Sequence, residues 1–253
     1  MSKNNVPYRS PWRRYREDAS PRRRGEQSFQ VVVEQTDLWI TAREDLSSQA
    51  LDLVHGLRGT LKAYIALHPS FAASLAPVAV SPEAPPLIRS MALAGEACGV
   101  GPMAAVAGAI AQGVAEGLAQ CSPDVLVENG GDVHMISTTD RVAALLADPA
   151  STAGLGLKLA AEDFPLSLCA SSGRIGHSLS LGRGDLVVVR SKSAAVADAA
   201  ATALGNLLQS KKDLERVAAR ARELNDKGVD GVFAQMDGRI AVWGKMELQV
   251  LQV

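Results

Sequence analysis

Two stretches of this chain carry almost no side chains, and they restrict its architecture more than any other feature. From Gly101 to about Gln120, the residues Ala104, Ala105, Ala107, Gly108, Ala109, Ala111 and Gly113 leave a helix surface that is nearly bare backbone. The second stretch, Ser193-Ala-Ala-Val-Ala-Asp198-Ala-Ala-Ala-Thr202-Ala-Leu-Gly205, lies in a helix expected from about Ala194 to Leu208. Small residues let another backbone or a flat ligand come very close. Tight packing between the two helices, through matching small faces, is therefore expected. Gly101-Pro102 opens the first helix, because proline is tolerated where its missing N–H is not needed. Ser191 or Ser193 supplies the cap of the second.

The rest of the pattern alternates between hairpins and amphipathic helices. Phe29 to Ala42 reads as a β-hairpin turning at Gln35 to Asp37. Leu46, Ala50, Leu53, Val54, Leu57, Leu61 and Ile65 recur at helical spacing on a face that must meet a sheet. A helix near Leu87 to Ala97 follows a proline-rich link. Strands are expected at Asp124–Val127 and Asp132–Ser137 around Asn129-Gly130-Gly131, then near 155–159, 166–170, 175–179 and 185–190. A charged helix from Lys212 to Asn225 precedes a hairpin turning at Asp237-Gly238, and Met246 to Val253 forms the last strand. Strand pairs and helices come in blocks without βαβ alternation, which predicts an α+β fold.

Charge and composition narrow the class further. The 253 residues are 47% hydrophobic and 21% charged, enough for a large core, and the net charge of −1 argues against a nucleic-acid partner for the protein as a whole. Residues 1–27 stand apart as an arm: seven arginines, from Arg9 to Arg24, are interleaved with Pro7, Pro11, Pro21, Tyr8, Trp12 and Tyr15. Such a segment builds no core alone. It reads either as an anion-binding arm or as a strap that packs on the body or on a neighbouring subunit. Residues 28–253 are expected to form a single domain. Cys98, Cys121 and Cys169 lie apart among small apolar residues and read as buried, reduced thiols. No membrane span and no signal-peptide pattern is visible, so the expected location is cytoplasmic.

Three glycine-centred segments and one helix offer chemistry. Asp198 and Thr202 are four residues apart, so both oxygens project from one helical face. One carboxylate and one hydroxyl suit Mg²⁺, which takes hard oxygen ligands and keeps water or phosphate for the rest. Glycines 130 and 131 expose backbone N–H groups that can meet phosphate or a ring edge, although a tight hairpin needs them equally. His134 alternates onto one face of its strand as a structural residue. In Ser171-Ser172-Gly173-Arg174-Ile175-Gly176-His177, a serine-glycine turn lies close to a histidine, and Arg183 follows as a cation.

These residues, in this order, resemble the ApbE-type FAD:protein FMN transferases. Asp198 to Leu204 is similar to the ADAxxTAL segment, Gly108 to Gly113 to the GAIAKG helix, and Asn129 to Asp132 to the NxGGD/N turn. Ser172-Gly173 and His177 resemble the serine-glycine strand and the following histidine. The resemblance implies an ApbE-like, T-fold-like α+β domain with antiparallel sheets and packed Ala/Gly-rich helices. It implies Mg²⁺ held by Asp198, Thr202 and the Ala109 carbonyl, and FAD contacted by Asn129, Gly130, Gly131, Asp132, Ser172, Gly173, Gln112 and Arg183. Asp198 and His177 take the catalytic roles, and the acceptor is a protein threonine, or water in FAD hydrolysis. Two departures matter. Gln112 stands where the family has lysine, and the loop after His177 lacks the Asp-Pro of HIIDPxTG. A non-catalytic ligand-binding or assembly protein on the same fold therefore stays open beside the enzyme, as does a homo-oligomer.

Overall fold

The computed structural model describes residues 25–145, 153–173 and 182–252. Most of the basic arm, the strand expected at 175–179 and His177 lie outside the described residues. Strands β1 (Gln27–Val33) and β2 (Thr36–Ala42) form the first hairpin, and β3 (Val125–Asn129) and β4 (Asp132–Ile136) flank the Gly130-Gly131 turn. Strands β5 (Arg141–Leu145), β6 (Ala153–Leu159), β7 (Leu166–Ser171) and β8 (Leu186–Ser191) follow, and β9 (Val229–Met236), β10 (Arg239–Gly244) and β11 (Glu247–Gln252) end the chain.

Among the described residues one sheet runs β1-β2-β3-β4-β7-β8-β9-β10 and a smaller one β11-β6-β5, with antiparallel neighbours throughout. The helices are α1 (Ser47–Leu67), the short α2 (Ser70–Ala73), α3 (Pro86–Cys98), α4 (Val106–Leu118), α5 (Ala194–Leu207) and α6 (Leu214–Glu223). This is the α+β architecture the sequence predicts.

The large sheet has a different neighbour on each face, and strand alternation sorts the side chains between them. Leu38, Ile40, Val125 and Val127 pack with Val54, Ile110 and Val114 of α1 and α4. Leu166, Leu168, Val188 and Phe233 point the other way and bury Leu157 and Leu159 of the small sheet. Burying one such leucine fully contributes about 1.5–3 kcal/mol.

Helix α4 sits between two partners, which explains its composition. Cβ atoms added at Gly113 and Gly117 would stand 3.0 Å and 2.7 Å from the methyl groups of Leu57 and Leu53, so the α1 leucines seat on the α4 glycines. On the other side Gly108 meets α5.

Three expectations need correction. The helix expected from Gly101 to Gln120 is a 3-10 turn, Pro102–Ala105, followed by α4. The break has a steric cause: a Cβ at Gly101 would lie 1.9 Å from the Ser74 carbonyl oxygen, and one at Gly95 would lie 2.8 Å from that of Val100, so this corner is pressed between α3 and the end of α2. Strand β5 was not expected, because its Ala143-Ala144 centre blunts the alternation. Cys121 is exposed, whereas Cys98 and Cys169 are buried as expected. It lies past the end of α4, where the chain turns before β3.

Candidate functional site

The site begins where α4 and α5 touch. A Cβ at Gly108 would stand 2.4 Å from the Ala194 carbonyl oxygen and 3.0 Å from Asp198 Cβ, so only glycine admits this approach. Helix α5 starts at Ser193, whose side chain accepts from Val196 N at 3.4 Å, as one of the two expected caps. One turn later Asp198 Oδ2 accepts from Gly108 N at 2.9 Å, and Ala107 N donates to the same carboxylate. Asn129 Nδ2 donates to Ala107 O at 3.0 Å. Asn129 and Asp198 thus hold the two polar ends of one peptide group, Ala107–Gly108, at the start of α4.

Asp132 comes from below. The β4–β7 register pairs Val133 with Leu168 and so sets Asp132 beside Cys169. Asp132 Oδ1 accepts from Ala170 N at 3.2 Å, and the Cys169 thiol hydrogen-bonds to the same carboxylate. Cys169 Sγ lies 3.6 Å from the Ala194 carbonyl oxygen.

Both carboxylates are buried, and no ion pair joins either one to a described Lys, Arg or His. Burial raises the pKa of Asp132 above the usual carboxylate range. Burial, and then repulsion from Asp132, raises that of Asp198 further. The Cys169 thiol is pushed up by burial and by the two carboxylates, so it is no nucleophile.

Thr202 is half-buried one turn beyond Asp198, and Ala109 adjoins Gly108. Gln112 is committed elsewhere: its Oε1 accepts from Ala194 N at 2.8 Å and its Nε2 donates to Glu116 Oε1 at 2.8 Å. A lysine at this position could not accept from the first amide of α5, so glutamine here fastens the two helices.

The remaining site residues lie toward the other end of α5. A Cβ at Gly205 would stand 2.8 Å from Ser171 Oγ, and one at Gly182 2.0 Å from the Gly205 carbonyl oxygen. Ser172 Oγ donates to Asp185 O at 2.7 Å, and Gly173 N to Gly184 O at 3.0 Å. Arg183 N bonds Leu208 O at 3.0 Å, and its side chain is exposed. Gly130 and Gly131 take φ of +72° and +113°, and a Cβ on Gly131 would lie 3.8 Å from that of Ala170.

The sequence-derived residues therefore form two groups along one helix. Asn129, Asp132, Ala109, Gln112 and Asp198 gather at its start, with Gly131 beside Ala170 next to them, while Ser172, Gly173 and Arg183 gather at its end. From Asp198 to Gly205 is about 10 Å at 1.5 Å per residue. Thr202 lies between the groups. Gly173 and Gly182, the described residues on either side of 174–181, both lie in the far group, and His177 is outside the described residues.

Cys169 and the Ala107–Gly108 peptide were missed in the sequence. Register arithmetic from Asp132 would have found the cysteine. Nothing local marks the peptide, which is defined by the crossing of two helices. Among the described residues no group of three His, Cys, Asp or Glu side chains is arranged to hold a metal, so a cation here would rely on carboxylates with hydroxyl and carbonyl oxygens.

Comparison with known proteins places this geometry. The model of the family AbpE bacteria matches residues 19–241. A UPF0280 protein of Methanocaldococcus jannaschii is 33% identical over 221 residues, covering 85% of this chain and 90% of the relative. One from Methanopyrus kandleri is 41% identical over 203 residues, covering 79% and 81%. The solved flavinyl transferase ApbE of Pseudomonas stutzeri, in its apo form, matches 87% of this chain and 94% of its own, with a TM-score of 0.52 at 12% identity. The ApbE protein of Thermotoga maritima matches 85% and 96%, with a TM-score of 0.55 at 12% identity. At such identities the solved structures establish the fold. The chain belongs to the AbpE bacteria family and has the fold of the solved ApbE proteins.

Proposed function

We propose that this protein binds a flavin nucleotide, FAD, together with Mg²⁺ beside the start of α5, and uses the pair for FMN transfer or for cleavage of the FAD pyrophosphate. The observation that carries this reading is the buried pair Asp132 and Asp198, two carboxylates with no cationic side chain paired to either among the described residues. Burying such charge is costly until a cation or a proton answers it.

The donors fit a hard cation. Asp198 offers a carboxylate that already accepts from the Gly108 and Ala107 amides, Thr202 adds a hydroxyl one turn away, and the Ala109 carbonyl is the third oxygen named by the family resemblance. Bound Mg²⁺ would neutralise charge on a pyrophosphate. The chain's own residues do the rest. The Gly130 and Gly131 amides receive phosphate or the flavin edge, Asn129 fixes the peptide that Asp198 grips, and Arg183 offers an exposed guanidinium to phosphate. Ser172 and Gly173 shape the far end of the site, and His177 assists the nucleophile, a threonine of an acceptor protein or water.

One observation favours a second reading, a ligand-binding or assembly protein without turnover. Gln112 replaces the family lysine, and its amide is spent on Ala194 and Glu116 instead of a ligand.

Calorimetric titration of FAD with and without Mg²⁺, followed by assay of AMP release, tests both readings. The expected result is Mg²⁺-dependent binding that weakens at least about tenfold in Asp198→Asn, a loss of about 1.4 kcal/mol or more. Binding without AMP release or FMN transfer supports the second reading. No FAD binding by the wild type at millimolar ligand, or equal binding by Asp198→Asn, overturns the proposal.

A further inference from the structure

The first three strands of the large sheet are packed on one face and open on the other. Val31, Leu38, Ile40, Val125 and Val127 face α1 and α4. Alternation turns the residues between them the other way, and the register sets these in rows, Gln30 beside Trp39 beside Glu128, and Val32 beside Asp37. Of β1 to β3, only Leu126 joins the cluster under the small sheet, and Val32 and Trp39 join none of the hydrophobic clusters. Val32 is 56% exposed. The indole Nε1 of Trp39 is closed off without a hydrogen-bond partner among the described residues, a donor that is costly to bury until an acceptor meets it.

The near-zero net charge of the chain hides a division between its parts. Residues 1–24 hold Lys3 and seven arginines against Glu17 and Asp18, a net charge of +6. Of the 26 Lys and Arg and the 27 Asp and Glu in the whole chain, that leaves 18 and 25, so residues 25–253 carry −7. The open face shares that sign. Strands β1, β2 and β3 contain no Lys or Arg, and their two acids, Asp37 and Glu128, both stand on it. The basic segment also joins the body at the rim of this face. Glu26, one residue before β1, is gripped through both oxygens by Arg141 of β5, at 3.0 Å and 2.6 Å, so the chain enters β1 on the small-sheet side. Just ahead of it Gly25 takes φ +88°, which turns the preceding chain out of the line of the strand.

We propose that residues 1–24 fold back across this open face of the same chain as a strap, with arginines set against Asp37 and Glu128 and an aromatic ring, that of Trp12 or a tyrosine, over Trp39 and Val32. Reach is no obstacle: about 24 extended residues span about 80 Å, whereas three strands are only about 14 Å across. The tether holds the strap at an effective concentration of about a millimolar, so contacts of millimolar affinity suffice. Backbone carbonyls of the strap supply the acceptor that the Trp39 indole requires, and its guanidinium groups can stack on the ring. A body of −7 attracts the strap and repels a polyanion, which makes nucleic acid the poorer partner for this surface. A second copy would bring a face of the same negative sign. Docking of the strap is independent of what the site at α5 binds.

Chymotrypsin cleavage of the full chain at Tyr8, Trp12 and Tyr15 tests this, because the rate follows the population of the undocked arm. Each rate is read against that of a free peptide of residues 1–24. At about 50 mM salt the arm should be cut at least about tenfold more slowly in the chain than in the peptide, and at about 0.5 M the gap should narrow to about twofold as screening weakens the docking. Asp37→Asn combined with Glu128→Gln should bring the low-salt rate to within about twofold of the peptide. Arg13→Gln, Arg14→Gln and Arg16→Gln together, read against a peptide with the same changes, should do likewise while leaving the body untouched. A chain cut as fast as the peptide overturns the proposal, and so does protection that neither set of substitutions removes. Protection that fades on dilution from about 100 to about 1 μM would seat the arm on a second copy, and protection that appears only with added nucleic acid would give it to that partner; either result overturns the proposal as well.

Discussion

The β3–β4 hairpin carries a buried acid near each end, and their surroundings differ. Before β3 begins, Asp124 has no exposed side-chain area. Arg43 donates to it through Nε at 2.7 Å and through a second guanidinium nitrogen, Thr138 N donates at 2.7 Å, the Ser137 and Thr138 hydroxyls both donate at 3.1 Å, and Arg141 lies 3.4 Å away. Burial alone would raise its pKa. The Thr138 amide, the Arg43 guanidinium and the two hydroxyls more than reverse that and hold the group well below the usual carboxylate range. Beyond the turn, Asp132 and Asp198 are likewise closed off from solvent, but they lie deeper in the protein and receive amides and a thiol and no cation among the described residues, and their pKa values rise. Heavier burial and the missing cation both set the two ends apart. The first end is complete as it stands and serves the fold. The second has no cationic side chain paired to it among the described residues, and on that difference the proposed Mg²⁺ site rests.

The largest effect should come from breaking the complete end. Asp124→Asn leaves Arg141 and Arg43 without their shared carboxylate, and stranding a buried charge in this way costs about 3–5 kcal/mol. Urea unfolding at pH 7 measures it. A loss under about 1 kcal/mol would mean that Glu26 alone satisfies Arg141, and the contrast between the two ends would fail.

Next comes the helix crossing that delivers an amide to Asp198. Gly108→Ala sets a methyl 2.4 Å from the Ala194 carbonyl oxygen, backbone that cannot swing aside, so α4 and α5 must part. Net destabilisation of up to about 3 kcal/mol is expected, after the better helix propensity of alanine offsets about 1 kcal/mol. Gly113→Ala, which meets only flexible Leu57 methyls, is the control and should cost less.

How much of this contrast was legible in the sequence differs between its halves. The small-residue helices announced their own packing, because Gly and Ala at 108, 109, 194 and 205 leave nothing else to meet. Asp198, Thr202 and the Asn129–Asp132 turn were found through local spacing and resemblance. Gln112 was read as a ligand contact because its bond to Ala194 depends on where α5 crosses α4, which no window along the chain records. The Asp124 network escaped for the same reason: Arg43, Asp124, Ser137 and Arg141 come together through strand pairing, and each alone looks like an ordinary polar residue beside a strand. Strand β5 was missed because alanine pairs satisfy a ladder without advertising it.

Acidification should separate the ends a third way, through His134. It lies two residues beyond Asp132 on the same strand face, with Nδ1 2.8 Å from Ser167 Oγ and Nε2 buried without a partner among the described residues. Burial lowers its pKa from 6.5 to about 4. Because the folded value is depressed, the unfolded chain binds the proton first, and the neutral imidazole's contribution, complete above pH 6.5, is lost as pH falls toward 4. Asp132 and Asp198 act with the opposite sign: their raised values add stability as pH falls, most fully below about 4. Replacing His134 with glutamine removes only the first effect. Between pH 7 and pH 5 the wild type should lose about 2 kcal/mol relative to His134→Gln. Parallel pH profiles for the two proteins would show that His134 is hydrated or charged in the folded state.

The smallest expected change in stability is the most diagnostic, because its sign decides the comparison. Asp198→Asn keeps the shape of the side chain, and its amide oxygen can still accept from Gly108 N, so the peptide that holds α4 to α5 survives. What disappears is a buried negative charge beside Asp132. Since the folded pKa of Asp198 is raised, the wild type bears the cost of that charge at high pH and escapes it as pH falls through the folded value. In EDTA at pH 8 the variant should therefore be more stable than the wild type by about 1 kcal/mol, and the gain should shrink toward zero at pH 5. Added Mg²⁺ should reverse the order at pH 8, since a cation that binds the folded wild type stabilises it by mass action while the variant has lost the charge that holds it. Chemical unfolding at the two pH values, with EDTA and then with millimolar Mg²⁺, gives all four numbers. If Asp198→Asn is the less stable protein in EDTA at pH 8, the amides of α4 already answer the Asp198 charge as Arg43 and Arg141 answer Asp124, and the second acid is as structural as the first.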